Sequence, residues 1–251
     1  MKTFSVRFLS IVVCAALLCI PQYAIAEVDL SNTISTAQDM SMSVNERILA
    51  IRALGASEDA RASGPLLDIL GNLAETGAIR SNAVRALANL GTPRAEILQA
   101  LEKVYRDPLT GNNLSYTVLL YLGYMQATES LPLLLEALSH SNSMLRFKAA
   151  QALGMLQNDD AIDALVSHME TEEDPMVRAE MVQAIGQTQN PVTEAALIQA
   201  LRSDQEPLVR FNSALMLGKF KTLSPEACSA LEASRNDESP AVRKTVKGML
   251  P

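Results

Sequence analysis

Tryptophan is absent from the 251-residue chain, and phenylalanine and tyrosine occur only five times each. With hydrophobic residues at 48%, the core must therefore be built from Ala, Leu, Val, Ile and Met. Most of these are strong helix formers, and they are small enough for helices to pack at close range. No segment alternates apolar and polar residues with period two, so no strands are expected. The chain has no Gly-rich phosphate loop, no G-x-S-x-G and no cysteine pair at zinc spacing, which removes the common local signatures of catalysis. Only two histidines occur, His140 and His168, and neither stands in an H-x-x-x-H or His-Glu arrangement. No metal site, cofactor or catalytic residue is expected.

No apolar run is long enough to span a bilayer comfortably, since that takes roughly 20 residues. The stretch at 8–20 is short, follows Lys2 and Arg7, and ends at Pro21 before Ala24-Ile25-Ala26. This is the layout of a secretory signal peptide over residues 1–26, cut ahead of Glu27; an uncleaved anchor is the competing reading. Removing the signal leaves 19 basic against 28 acidic residues. That acidic excess repels phosphate backbones and disfavours nucleic-acid binding. It also leaves Cys228 as the one remaining cysteine, so no internal disulfide is possible. Cys228 is expected to be a buried, inert thiol. The expected localisation is exported, in a bacterial periplasm or secreted, with no stable membrane insertion after cleavage.

What is present is a repeat. A turn is followed by an apolar residue, Arg, a run of small and apolar positions, and a small-Leu-Gly ending. Arg47, Arg80, Arg146, Arg178, Arg210 and Arg243 mark the copies, with Ser115 standing where Arg is expected. The separations are 33, 35, 31, 32, 32 and 33 residues. Each period holds two helical segments, A and then B. Asp174-Pro175, Glu206-Pro207 and Ser239-Pro240 mark B starts by capping chemistry and by Pro at the first helical position. Thr92-Pro93, Asn190-Pro191 and Ser224-Pro225 mark A starts. The glycines read as helix stops. One such hairpin cannot bury its apolar face alone, whereas a stack of them can.

The period and the V-R-x-x-A-x-x-A-L-G pattern, clearest at 145–154 and 177–186, resemble HEAT repeats of the short subclass associated with phycobilisome lyases. The resemblance covers residues 43–251. It implies an all-α, right-handed α-solenoid of about seven HEAT-like helical hairpins. Residues 27–42 are polar and form either a first A helix that caps the stack or a flexible lead-in. The family's iron-binding hydroxylases are not matched, because their His-Glu pairs are missing.

On a helical wheel, the apolar residue before Arg is position one. Positions one, five, eight, nine and twelve then face the core, and three, seven and ten face solvent. The outward positions include Tyr116, Leu120, Phe147, Phe211 and Leu215. Either these side chains hold a protein or peptide partner, or curvature and adjoining segments cover them. The Arg column, Arg80, Arg146, Arg178, Arg210 and Arg243, reads as an anion-binding stripe on charge alone. The resemblance implies instead that it braces adjacent repeats, with Asp174, Asp204 and Asp237 as available partners. The acidic run at 170–174 reads as a solvated rim. The expected function is that of an exported, non-catalytic scaffold or adaptor binding a protein or peptide on its B-helix face. The alternative is an accessory subunit of an enzyme or cofactor-attachment system.

Overall fold

The computed structural model describes residues 29–249; the expected signal peptide at 1–26 lies outside them. Fourteen α-helices and three short 3-10 turns make up the regular structure, and no strand occurs among the described residues. They form seven A/B hairpins in chain order. The A helices are α1 (Leu30–Gln38), α3 (Ser63–Gly71), α5 (Arg94–Arg106), α7 (Leu131–Leu138), α9 (Asp159–Met169), α11 (Pro191–Ser203) and α13 (Pro225–Ala233). The B helices are α2 (Val44–Ala56), α4 (Gly77–Leu90), α6 (Asn112–Tyr124), α8 (Ser143–Leu156), α10 (Pro175–Ile185), α12 (Pro207–Leu217) and α14 (Pro240–Lys247).

Local chemistry starts most of them. Ser43 and Glu46 close a capping box on α2, and Asp29, Thr76, Asn142, Asn158, Asp174, Asn190 and Ser224 cap α1, α4, α8, α9, α10, α11 and α13 through their side chains. Each satisfies an amide that the helix itself leaves free. Ser239, expected to do the same for α14, makes no side-chain cap bond; its own amide donates to Asp237 Oδ1 at 2.7 Å. Residues 30–38 of the polar lead-in form the A helix of the first hairpin, and Ala37 is fully buried against the stack.

The core is one continuous cluster of Leu, Ile, Val, Ala and Met between the two helix layers, running from Ala37 to Val246. Consecutive B helices are in close contact, while consecutive A helices touch far less. The cause is a recurring fit of small residues. Gly55, Gly123, Gly154, Gly186 and Gly218 stand eight residues after the repeat's Arg or Ser, and each faces the residue six after the next repeat's Arg. A Cβ on Gly55 would lie 2.5 Å from the Ala86 Cα, and one on Gly154 would lie 2.6 Å from the Ala184 Cβ. These glycines therefore do more than stop helices. Gly55, Gly123 and Gly154 lie within α2, α6 and α8, where the missing side chain lets the next helix approach. Gly91, at φ 70°, is the one that ends its helix in the left-handed region. A stack spaced more tightly in its B layer bends toward that layer, which puts the B helices on the inside of the curve.

Gly55→Ala should destabilise the protein by about 1–3 kcal/mol, since α2 and α4 must separate or strain. Gly64→Ala, at a helical glycine with nothing within 4 Å, should be neutral or stabilising by up to about 1 kcal/mol. Urea unfolding of both variants checks this. Equal effects would mean that the glycines do not set the spacing.

Candidate functional site

Outward positions three and seven of the B helices lie side by side because the B layer is continuous. Tyr116 and Leu120 on α6, Phe147 on α8, and Phe211 and Leu215 on α12 are all half-buried. Tyr116, Phe147, Phe211 and Leu215 rest partly on the core. Tyr116 Oη accepts from Asn142 Nδ2 at 3.3 Å. The Lys148 ammonium lies 5.3 Å from the centre of the Phe147 ring, at a distance suited to a cation–π contact. On α10 the same positions hold buried Ala179 and exposed Gln183, so the expected stripe is interrupted there.

Three residues escaped the wheel because it was numbered from the residue before Arg. Position zero lies one helical turn before position three and shares its side. It holds Met144, Met176 and Leu208, all exposed. Met176 fills the gap on α10. The signal was legible as a spacing of 32 residues between consecutive members.

The recurring arginines form clasps along the edge where A turns into B. Arg178 Nη1 donates to the Glu172 and Glu173 carbonyls of its own turn at 3.0 and 2.9 Å, and Nε and Nη2 grip the Asp204 carboxylate of the next turn at 2.8 and 3.0 Å. Arg210 repeats this with the Asp204 and Gln205 carbonyls and the Asp237 carboxylate. Arg146 does so with the His140 and Ser141 carbonyls and with Glu172. Arg243 binds the Asp237 and Glu238 carbonyls. Glu172, not Asp174, is the partner of Arg146; Asp174 is occupied in capping α10. The turn acid stands three residues before the helix-opening Pro, and it also accepts the amide two residues on.

Two arginines bind differently. Arg47 donates from Nε to the Ala37 carbonyl at 3.0 Å and grips Glu75 with both terminal nitrogens, in a pair only 5% and 4% exposed. Arg80 donates from Nε to the Leu70 carbonyl at 2.8 Å and forms no ion pair among the described residues. The acid at the matching position, Asp107, accepts the Leu109 amide. It lies five residues ahead of its B helix rather than three, and the longer turn carries it away from Arg80.

The remaining candidates lie off this face. Cys228 is exposed, not buried, because its position on α13 points out from the A layer. His168 contacts the Ala164 carbonyl and Ser139 Oγ at 2.9 and 3.1 Å, and His140 Nδ1 accepts the Asn142 amide. A groove of about 880 Å³ opens between α9 and α11, with Arg178, Glu173 and Glu206 among its lining residues.

Two sequence-family models describe the chain: HEAT repeats over residues 112–179 and 162–249, and a PBS lyase HEAT-like repeat over 79–107. The chain belongs to the HEAT-repeat family. No curated protein is significantly similar to it in sequence. Among solved structures, the complex of CpcE and CpcF of phycocyanin lyase from Nostoc sp. PCC7120 is similar at TM-score 0.54 and 18% identity, over 92% of this chain and 98% of that one. A chain of the Kap95p–RanGDP structure is similar at TM-score 0.56 and 11% identity, over 86% of this HEAT-repeat chain and 34% of that one. Human deoxyhypusine hydroxylase, an enzyme, is similar at TM-score 0.42 and 21% identity, over 89% and 95%. At these identities the likeness is one of fold.

The clasps make stability depend on acid. Burial alone would push Glu172 and Asp237 up, but Arg146 and Arg210, with the turn amides, outweigh it and hold both below the usual carboxylate range. A carboxyl with a lowered folded pKa stabilises above its unfolded value of about 4 and loses that contribution as pH falls through the folded value. The melting temperature should stay level from neutrality to about pH 5 and fall below about pH 4. Arg146→Gln should cost about 2 kcal/mol at neutral pH and flatten the acid limb. An acid limb unchanged in Arg146→Gln would contradict the clasp as its source.

Proposed function

We propose that this HEAT-repeat protein is an exported, non-catalytic scaffold that holds a protein or peptide segment on its B-helix face. The observation that carries the reading is the apolar row across three consecutive B helices: Met144 and Phe147, Met176, then Leu208 and Phe211. Contiguous apolar surface of this kind marks interaction sites on soluble proteins. Methionine suits such a surface because its flexible thioether adapts to different side chains. Gln151 and Gln183 supply the polar groups that an interface rim uses. Export is supported by the basic start, short apolar stretch and Ala24-Ile25-Ala26 ending, which match a cleavable signal.

A second reading is that of an accessory subunit for an enzyme or cofactor-attachment system. Its support is the likeness in fold to the phycocyanin lyase complex of CpcE and CpcF. The two readings differ in the identity of the partner, and one experiment addresses both. Crosslinking and recovery from the exported fraction should yield a defined partner, with the bait's N-terminus at Glu27. The pair Phe147→Ser and Phe211→Ser should reduce recovery at least about tenfold, a loss of roughly 1.4 kcal/mol, while the melting curve stays cooperative. Unchanged recovery from a folded double variant would overturn the face, and a retained Met1 in the cell interior would overturn export.

A further inference from the structure

Arg80 is only 6% exposed, yet a single nitrogen of its guanidinium is bonded. Arg47, Arg146, Arg178 and Arg210 each reach a carboxylate through Nη2; the terminal nitrogens of Arg80 meet no acceptor among the described residues. Arg80 lines a cavity of about 620 Å³ together with Tyr116, Leu73, Leu109 and the first residues of α6. Helix α6 starts at Gly111 with no side-chain cap, so its first amides point outward with the positive end of the helix dipole. Glu75 also lines the cavity, but Arg47 neutralises it through a bidentate pair. Asp107 lines a different cavity, with Ser115 and His140. A largely buried Arg80 whose unbonded terminal nitrogens still reach solvent, an uncapped helix start and a phenol thus border one opening, and exposed Leu73 and Leu109 flank it.

We propose that this open clasp binds a carboxylate of the partner segment, which takes the place that Glu75, Glu172, Asp204 and Asp237 hold in the other clasps. A planar carboxylate matches the two remaining guanidinium donors, and the α6 amides accommodate its charge. Leu73, Leu109 and Tyr116 give apolar contact to the residues beside it. The carboxylate is supplied either by an Asp or Glu side chain or by a chain's C-terminus. The inference deepens the scaffold reading by naming the chemistry of the bound segment. Its probes are small carboxylates rather than the partner, so its failure leaves the test of the Phe147–Phe211 row intact.

The test is a titration of the ¹⁵N-labelled protein at constant ionic strength, following the Arg80 Nε–H and the amides of Asn112 and Asn113. The probes are an acetylated, amidated Leu-Glu-Leu peptide, its Leu-Gln-Leu counterpart, an acetylated Leu-Leu peptide with a free C-terminus, and inorganic phosphate. Saturable shifts with Leu-Glu-Leu, at least tenfold weaker with Leu-Gln-Leu, support a side-chain carboxylate; preference for the free C-terminus supports a terminal one. Arg80→Lys keeps the charge but loses the fork, and should weaken binding at least tenfold. Arg146→Lys should leave it unchanged. The comparison of Glu with Gln on the unaltered protein holds whether or not Arg80→Lys folds. No saturable shift with either carboxylate, or tighter binding of phosphate than of both peptides, overturns the proposal. So does a tenfold gain in affinity in Asp107→Asn, which would mean that Asp107 fills the clasp.

Discussion

Arg146, Arg178 and Arg210 each hold two carbonyls of the turn they follow and a carboxylate one repeat further on. The first half closes the A–B turn, and the second fixes where the next turn must lie. Magnitudes separate this role from overall stability. A charge-assisted bond of this kind contributes about 1.5–3 kcal/mol net, while a single buried Leu, Ile or Val contributes about as much again. The array buries many of those, from Ile51 and Leu54 through to Val242 and Val246. Burial supplies most of the stability. The clasps set register, because apolar contact has no direction and a bidentate guanidinium has a strict one.

The glycine contacts give that register its shape. With Gly154 against Ala184 and Gly186 against Met216, the B helices approach more closely than the A helices. The face they present is then a nearly continuous surface. The step from α4 to α6 departs from this rule, with Ala88 and Tyr121 at the matching positions, and the Arg85 guanidinium lies 5.9 Å from the Tyr121 ring centre. At the same place the clasp column fails twice, since Arg80 has no carboxylate and Ser115 has no guanidinium. Arg94, reaching Glu129 and the Met125 and Gln126 carbonyls, ties the next step instead. That tie is more exposed than the clasps and is screened accordingly. The irregular junction and the open cavity beside Arg80 therefore have a common origin in the longer turn at 107–111.

Much of the fold is legible in the sequence, because a repeated Arg, a repeated Leu-Gly and capped Pro turns state the same period independently. The pairs Arg178–Asp204 and Arg210–Asp237 were equally legible, as an acid 26 or 27 residues after each Arg. Other features depend on side-chain reach that spacing does not encode. Asp174 and Glu172 stand two residues apart in one turn, and only the geometry of the cap decides which of them meets Arg146. Glu75 belongs to a turn without the Pro signal, so its buried pair with Arg47 was hidden. Cys228 has small neighbours, as a buried thiol would, but a helix covered on one side leaves its other side to solvent. On the B face, Met144, Met176 and Leu208 were missed by the choice of starting position.

Native-state hydrogen exchange, read repeat by repeat, tests most directly whether clasps couple nearest neighbours. The account predicts that protection drops at the α4–α6 step, where the column is broken, and is higher from α8 to α12. It also predicts that Arg178→Gln lowers protection in α9 to α12 while α2 to α4 keep theirs, as expected when each repeat is coupled only to its neighbours. Uniform protection across α4 and α6, or a loss in Arg178→Gln spread evenly over the whole array, would contradict it.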